Sequence, residues 1–152
     1  RHTRSAHVCG LGDVYKRQIL NVVYEKAIEN DIDFSVDCKD NLSFVAGDDL
    51  AVLIGNLADN AVEALAKEQN KKLKISIFQN GSYGVLNVQN YCSSSVLRTN
   101  PTLYTSKEDK KNHGRGISIV KSIAKKYGGD VIISEKNNEF IVSVVLDNRI
   151  FT

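Results

Sequence analysis

The sequence lacks the features that mark several protein classes. It contains no apolar run near the roughly 18 to 20 residues that a bilayer-crossing helix needs. Lys and Arg outnumber Asp and Glu by only 20 to 18, which excludes the clustered basic surface of a nucleic-acid-binding protein. Methionine is absent altogether, the initiator included, so we expect a fragment of a longer chain.

Cysteine is scarce as well, whereas apolar residues are plentiful. Three cysteines, at positions 9, 38 and 92, form no CxxC pair and cannot all pair within the chain. This favours a reducing compartment over a disulfide scaffold, and we interpret the cysteines as buried small residues or spectators. Hydrophobic residues make up 42% of the 152 positions, which predicts one globular domain with a core and excludes disorder.

Residues 1–18 differ from the rest of the chain. They show neither helical nor strand periodicity, and they mix two His, two Gly and four cations. We interpret this stretch as a non-native leader and expect the domain to occupy residues 19–152. The functional alternative makes His2 or His7 a phosphoacceptor or a metal ligand.

Apolar periodicity predicts the elements of the domain. Gly, Asn and Asp clusters separate them, and Asp48 or Asp49 is suited to cap the long second helix. Helices and strands intermingle without regular alternation, which predicts an α+β fold: a two-layer sandwich with one mixed sheet covered on one face by helices. The predicted helices span residues 19–30, 48–68 and 117–127, and the predicted strands span residues 32–37, 73–77, 85–88, 131–134 and 140–146.

One face of the long helix is polar. Asn56, Asn60 and Glu63 recur at three-and-four spacing, with Asp59 beside them, and no cation lies between Asp48 and Ala66. Asn and carboxylate oxygens suit Mg²⁺ that is also held by phosphate oxygens. Short Asn and Asp side chains are poor helix formers, which favours a function over the alternative, an ordinary solvated face.

The start of the next helix is rich in glycine. Gly114 and Gly116 precede an apolar helix, where free N–H groups and the helix dipole favour an anion. A simple turn is the alternative interpretation. Residues 91–112 form a polar connection that is unusually long, which predicts a functional or mobile loop, and Thr105 and Lys107 within it offer phosphate ligands. No Walker motif occurs, so a P-loop protein is excluded.

Two segments resemble the motifs of a known family. Residues 56–64, NLADNAVEA, resemble the N box of the ATP-binding domain of sensor histidine kinases in the GHKL ATPase superfamily. Residues 113–120, HGRGISIV, resemble its second glycine box, in the right order and separation. The spacing of residues 105–107, TSK, before HGRG looks most like the AgrC-like branch, whose members sense peptide pheromones in Gram-positive bacteria.

The resemblance implies roles for the matching residues. Asn60 would be the magnesium ligand, and Asn56 would face the phosphates. Related ATPases that hydrolyse ATP have a general-base Glu at the position of Asn56, and an amide cannot take a proton from water, which fits phosphoryl transfer to a histidine. The expected cofactors are ATP and Mg²⁺, and the candidate ATP-binding residues are Asn56, Asn60, Glu63, Asn90, Thr105, Lys107, His113, Gly114, Arg115 and Gly116.

The first glycine box departs from the family pattern, D-x-G-x-G. Asn90 follows the corresponding strand here, and the glycines are missing. Its amide oxygen can still accept a hydrogen bond from the adenine amino group, although a carboxylate is usually the stronger acceptor. The alternative is that Asn90 merely ends a strand.

The resemblance also implies partners. The family's phosphoacceptor histidine lies on a dimerising helical hairpin upstream of this domain, so we expect ATP·Mg²⁺ binding without autophosphorylation by the fragment alone. A response regulator would be reached through the full-length kinase, and we expect no nucleic-acid or membrane contact by this cytoplasmic domain of a membrane-anchored bacterial sensor. The alternatives are an anti-sigma-factor-like serine kinase of the same superfamily and a nucleotide-free interaction module.

Overall fold

A computed structural model describes residues 14–94 and 113–151 of the chain. Its helices and strands lie where the sequence predicts elements of those types, and a short 3-10 helix that was not predicted follows them. In chain order the elements are α1 (Val14–Glu29), β1 (Asp33–Cys38), α2 (Gly47–Leu65), β2 (Lys72–Asn80), β3 (Tyr83–Tyr91), α3 (His113–Lys126), β4 (Asp130–Lys136), β5 (Glu139–Asp147) and the 3-10 helix Asn148–Phe151.

The five strands form one mixed sheet in the order β1-β2-β3-β5-β4. β1 pairs with β2 in parallel, and the other neighbours are antiparallel. Two tight turns connect the hairpins: Gly81 has a φ of 63°, and Asn137 and Asn138 have φ values of 53° and 63°. Positive φ at turn centres matches the twist of paired strands, and Gly and Asn tolerate it best.

One face of the sheet packs against the helices, because alternate residues of a strand point to the same side. The buried sheet residues on this face are Phe34, Leu73, Ile75, Ile77, Leu86, Val88, Phe140, Val142, Val144 and Leu146. The helix residues in the same core include Leu20, Val23, Ala27, Leu50, Leu53, Ile54, Leu57, Ala61, Val120 and Ala124. The predicted α+β sandwich, with a mixed sheet covered on one face, is confirmed.

Helix α1 begins earlier than predicted, at Val14 and not at Ile19. Lys16 is only 4% exposed, and its Nζ donates to the backbone oxygens of Asn41 at 3.1 Å and Leu42 at 2.9 Å. A lysine side chain can be buried when its ammonium group donates to backbone oxygens. The local sequence pattern does not predict such long-range hydrogen bonds. Residues 14–18, for which the sequence predicts no helix, therefore belong to α1.

The N-terminus of α2 is capped differently from the prediction. The N-cap residue is Ala46, which makes no side-chain cap, whereas Asp48 and Asp49 lie inside the first turn. The backbone N–H of Ala46 donates to the hydroxyl of Tyr127 at 3.0 Å. Tyr127, just beyond the end of α3, therefore accepts a hydrogen bond from the backbone at the start of α2.

Tyr127 and Asp49 join the end of α3 to the start of α2. The Tyr127 hydroxyl and Lys126 Nζ both donate to Oδ2 of Asp49, at 2.6 and 2.8 Å. Burial would raise the pKa of Asp49, but the hydrogen bonds from Lys126 and Tyr127 outweigh it and lower that pKa. Burial and the bond to Asp49 raise the pKa of Tyr127, so its hydroxyl stays protonated and remains a donor.

Two further features concern membrane helices and cysteines. Within the described residues, no helix has the length and apolar character needed to cross a membrane. Cys92 is a buried free thiol whose pKa is raised by burial and by the charges of Glu135, Glu68 and Glu139. Cys38 is half-buried and disulfide-bonded, which differs from its interpretation as a buried small residue or a spectator.

Candidate functional site

The polar face of α2 is present, and its members differ in burial. Asn56 and Asn60 are half-buried, while Glu63, one turn further along, is exposed. The amide nitrogen of Asn56 donates to the backbone oxygen of Val52 at 2.8 Å. This bond fixes the orientation of the Asn56 amide and leaves its oxygen free to point away from the helix backbone.

Gly116, in the first turn of α3, lies directly against this face. A Cβ added at Gly116 would lie 3.3 Å from Oδ1 of Asn56, and 3.8 and 3.9 Å from Nδ2 and Oδ1 of Asn60. A Cβ at this position would therefore press on the amide oxygen of Asn56 and make ordinary van der Waals contact with Asn60. The two motifs, which the sequence places more than fifty residues apart, form one site in the folded chain.

Asn60 carries an unusual polar atom at this site. Its Nδ2 is buried and has no hydrogen-bond partner among the described residues. An unpaired buried donor costs about 1–3 kcal/mol, so such atoms are rare unless a ligand or ion completes them. The donor set fits ATP·Mg²⁺, because an Asn oxygen suits Mg²⁺ and an Asn N–H suits a phosphate oxygen.

Asp59 belongs to a different contact. It is exposed and forms an ion pair with Lys26 of α1. No cation lies along the predicted polar face of α2, and that absence favoured a metal site over the whole face. At Asp59, however, a lysine from the neighbouring helix supplies the compensating positive charge. Such a pairing between helices leaves no mark in the local pattern of either one.

Asn90 is buried near the end of β3, which continues to Tyr91. Only 5% of Asn90 is exposed, and its Nδ2 donates to the backbone oxygen of Tyr91 at 3.1 Å. Leu86 and Val88 face the helices, so the alternation of the strand turns Asn90 to the same side. The amide nitrogen is engaged, and the amide oxygen is the atom left to accept a hydrogen bond.

The end of β3 lies beside the last turns of α2. Ser93 follows the strand, and Glu68 lies just beyond the end of α2. The backbone N–H of Ser93 donates to Oε2 of Glu68 at 3.2 Å. This bond joins the segment after β3, the strand that contains Asn90, to the segment after α2, the helix that contains Asn60. The structure places Gly116 beside Asn56 and Asn60.

The remaining candidates are placed less completely. His113, Gly114 and Arg115 form the first turn of α3, which confirms that the glycine segment starts a helix; the side chains of His113 and Arg115 are not described. Thr105 and Lys107 lie outside the described residues, as do His2 and His7 and most of the predicted loop.

Solved structures with the same fold belong to histidine kinases. The chain is 19% identical to a nucleotide-free form of the catalytic domain of histidine kinase ThkA, with a TM-score of 0.70 over 88% of this chain and 90% of that one. It is 16% identical to the mycobacterial sensor histidine kinase MprB, with a TM-score of 0.61 over 86% and 93% of the two chains. Full-length ShkA in complex with AMPPNP is also 16% identical, with a TM-score of 0.66 over 92% of this chain and 30% of that one.

These identities are low, so the similarities establish the fold and nothing beyond it. A comparison with curated proteins found no match. The family described as "GHKL domain" matches residues 46–147, which run from the N-cap of α2 to the end of β5 and include Asn56, Asn60, Asn90 and Gly116. The match covers more than half of the chain, which therefore belongs to the GHKL domain family.

Proposed function

We propose that this domain binds ATP with Mg²⁺ and supplies the phosphoryl group for histidine autophosphorylation in a two-component sensor kinase. The observation that carries the proposal is that Gly116 lies beside Asn56 and Asn60, whose Nδ2 is buried and has no partner among the described residues. Family membership and the fold of histidine kinase catalytic domains support it.

The residues of α2 hold the phosphate end of the nucleotide in this proposal. Asn60 provides the amide oxygen for Mg²⁺ and Asn56 faces the phosphates, with Glu63 one turn further on. Bound Mg²⁺ would neutralise charge on the phosphate oxygens. Neither amide can take a proton from water, so the pair can orient a phosphoryl group without promoting its hydrolysis.

The start of α3 holds the phosphates from the other side. Gly116 has no side chain to fill the space in front of Asn56, and the first-turn N–H groups favour an anion. Gly114 would allow the same close approach, and His113 and Arg115 would border the ligand. Thr105 and Lys107 join the proposal through the resemblance alone, with Lys107 as a cation that covers the phosphates.

Asn90 recognises the base in this proposal. Because its Nδ2 is held by the backbone oxygen of Tyr91, its Oδ1 is oriented to accept from the adenine amino group. Binding of adenine would therefore give the buried Oδ1 of Asn90 a hydrogen-bond donor.

The whole protein in this proposal is a sensor kinase of the AgrC-like branch. The spacing of TSK before HGRG supports that assignment. The domain would lie in the cytoplasm, tethered to a membrane-anchored sensor, and would act on a histidine in an upstream dimerising domain that then serves a response regulator.

Calorimetry with ATP, with and without Mg²⁺, tests the binding step. We expect saturable binding that strengthens with Mg²⁺. A lack of binding at millimolar nucleotide would favour the nucleotide-free interaction module.

Mass spectrometry after incubation with ATP tests the reaction. We expect no phosphohistidine on the fragment alone, and a phosphorylated His2, His7 or His113 would contradict this expectation. Phosphoserine on an added substrate protein, without phosphohistidine on an added phosphoacceptor domain, would favour the serine kinase.

Gly116→Ala is expected to weaken ATP·Mg²⁺ binding while leaving the fold intact. The new methyl would lie 3.3 Å from Oδ1 of Asn56, in the space that we assign to the phosphates. One extra methyl in a fitted site costs about tenfold or more in affinity, whereas alanine in a helix is favoured over glycine by up to about 1 kcal/mol.

The matched control for Gly116→Ala is Gly55→Ala, in α2. A Cβ at Gly55 would meet Cδ1 of Ile19 at 3.5 Å, an ordinary contact on the α1 side of the helix. Calorimetry should show wild-type affinity for the Gly55 variant. Equal affinity of the two variants would contradict the placement of the phosphates beside Gly116.

A further inference from the structure

Helices α2 and α3 meet at two matched points. Tyr127 donates a hydrogen bond to Asp49 near the start of α2, and a Cβ at Gly116 would lie within 4 Å of Asn60 further along it. Asn60 lies eleven positions after Asp49, and Tyr127 lies eleven positions after Gly116. At 1.5 Å per residue, each helix covers roughly 16 Å between its two points of contact. The antiparallel pair is therefore joined at one end by hydrogen bonds and carries the candidate site at the other.

The packing between these two points is apolar. Leu53 and Leu57 of α2, and Val120 and Ala124 of α3, are fully or almost fully buried. Apolar burial is non-directional, so it holds the helices together more firmly than it fixes their relative position along the axis. Hydrogen bonds are directional, and a shift of 1 Å weakens them.

Tyr127 is itself held firmly in place. Its backbone oxygen accepts from the N–H of Asp147 at 2.9 Å, and the N–H of Gly129 donates to the oxygen of Ala124 at 2.8 Å. The side chain is 2% exposed, and its ring contacts the Phe44 ring edge-on at 6.3 Å between centroids. The hydroxyl can therefore act as a fixed reference for the start of α2.

We propose that Tyr127 and Asp49 are positioning residues that set the register of α3 against α2, and thereby the spacing of Gly116 from Asn56 and Asn60. The ligand side of this proposal rests on the proposed function. The register itself is a property of the nucleotide-free protein. A displacement of about 1 Å at a fitted site is enough to weaken its function, and even a single added Cβ at Gly116 would lie 3.3 Å from Oδ1 of Asn56.

Two variants separate the hydroxyl from the charge. Tyr127→Phe keeps the buried ring and removes the hydrogen bonds of the hydroxyl to Ala46 and Asp49. Asp49→Asn keeps an acceptor oxygen and removes the charge that pairs with Lys126. The matched control is Tyr83→Phe, which also removes one tyrosine hydroxyl. The Tyr83 hydroxyl accepts from Arg149 at 3.1 Å, so this contact joins the start of β3 to the C-terminal segment and does not involve α2 or α3.

The first readout needs no nucleotide. In NMR spectra we expect Tyr127→Phe to shift the side-chain amide signals of Asn56 and Asn60 and the backbone amide of Gly116, with smaller shifts for Asp49→Asn. The control at Tyr83 should leave these signals unchanged. Unchanged signals in the Tyr127 variant would overturn the proposal.

The second readout is affinity. Tyr127→Phe should bind ATP·Mg²⁺ about five- to tenfold more weakly, the size of coupling within one contact network, with a smaller loss for Asp49→Asn and none for the control. Urea unfolding shows whether each domain remains folded. A Tyr127 variant that is destabilised but binds as tightly as wild type would show a purely structural role and overturn the proposal. If Tyr127→Phe shifts these amide signals but the wild-type protein binds no nucleotide, the register is supported and the proposed function is refuted.

Discussion

Asn60→Ala is expected to abolish magnesium-dependent nucleotide binding and, at the same time, to stabilise the nucleotide-free domain. The substitution removes the proposed metal ligand, and even the outer partners of metal ligands are worth about 10- to 100-fold in affinity. It also removes a buried amide nitrogen that has no partner within the described residues. Removing that donor, and replacing Asn by a better helix former, should raise the free energy of unfolding by about 1 kcal/mol.

The opposite signs of these two effects make the Asn60 experiment decisive. Calorimetry with and without Mg²⁺ measures the first effect, and urea unfolding without ligand measures the second. Asn70→Ala, at an exposed residue beyond α2, is the matched control and should change neither. Unchanged affinity would show that Asn60 is not a ligand, and a destabilised variant would show that its amide nitrogen has a partner in the nucleotide-free fold.

Gly129→Ala is expected to have the largest effect on stability. A Cβ at Gly129 would lie 1.6 Å from the backbone oxygen of Val145 and 2.6 Å from its carbonyl carbon. These are main-chain atoms of β5, which pairs with β3 on one side and β4 on the other, so the strand cannot yield without breaking a ladder. We expect a loss of more than about 4 kcal/mol, beyond the range of ordinary substitutions.

Gly81→Ala separates this steric effect from a conformational one. Gly81 has a φ of 63°, but apart from its two chain neighbours no atom of the described residues lies within 4 Å of an added Cβ. Its substitution therefore costs only the left-handed backbone strain of about 1–2 kcal/mol. Urea unfolding should therefore give Gly129→Ala a much lower free energy of unfolding than Gly81→Ala. Comparable stabilities would show that the junction between α3 and β4 is looser than the contact with Val145 indicates.

Local sequence patterns predicted most of the fold. Apolar residues at three-and-four spacing marked α2, and the turn at Gly81 and the helix end at Gly128 follow from the backbone freedom of glycine. The alternation of apolar and polar residues marked the strands. Each of these signals lies within a few residues, where the chain's own geometry relates spacing to direction.

The errors in the prediction share one cause. The start of α1 was missed because Lys16 finds its acceptors at Asn41 and Leu42. The cap of α2 was assigned to Asp48 or Asp49 because the actual acceptor, Tyr127, lies 81 residues away from Ala46. In both places a partner distant in sequence satisfies a polar group, and periodicity carries no information about such partners.

The sequence alone determined the element types, the helix face bearing Asn56 and Asn60, and the glycine segment that starts α3. Those features depend on neighbours along the chain. Only the tertiary structure decided that Gly116 lies against Asn56, that Asp59 pairs with Lys26, and that no described residue pairs with the amide nitrogen of Asn60. Such contacts depend on how the helices pack on the sheet, because burial and long-range hydrogen bonds select one arrangement among the many that the same local pattern allows.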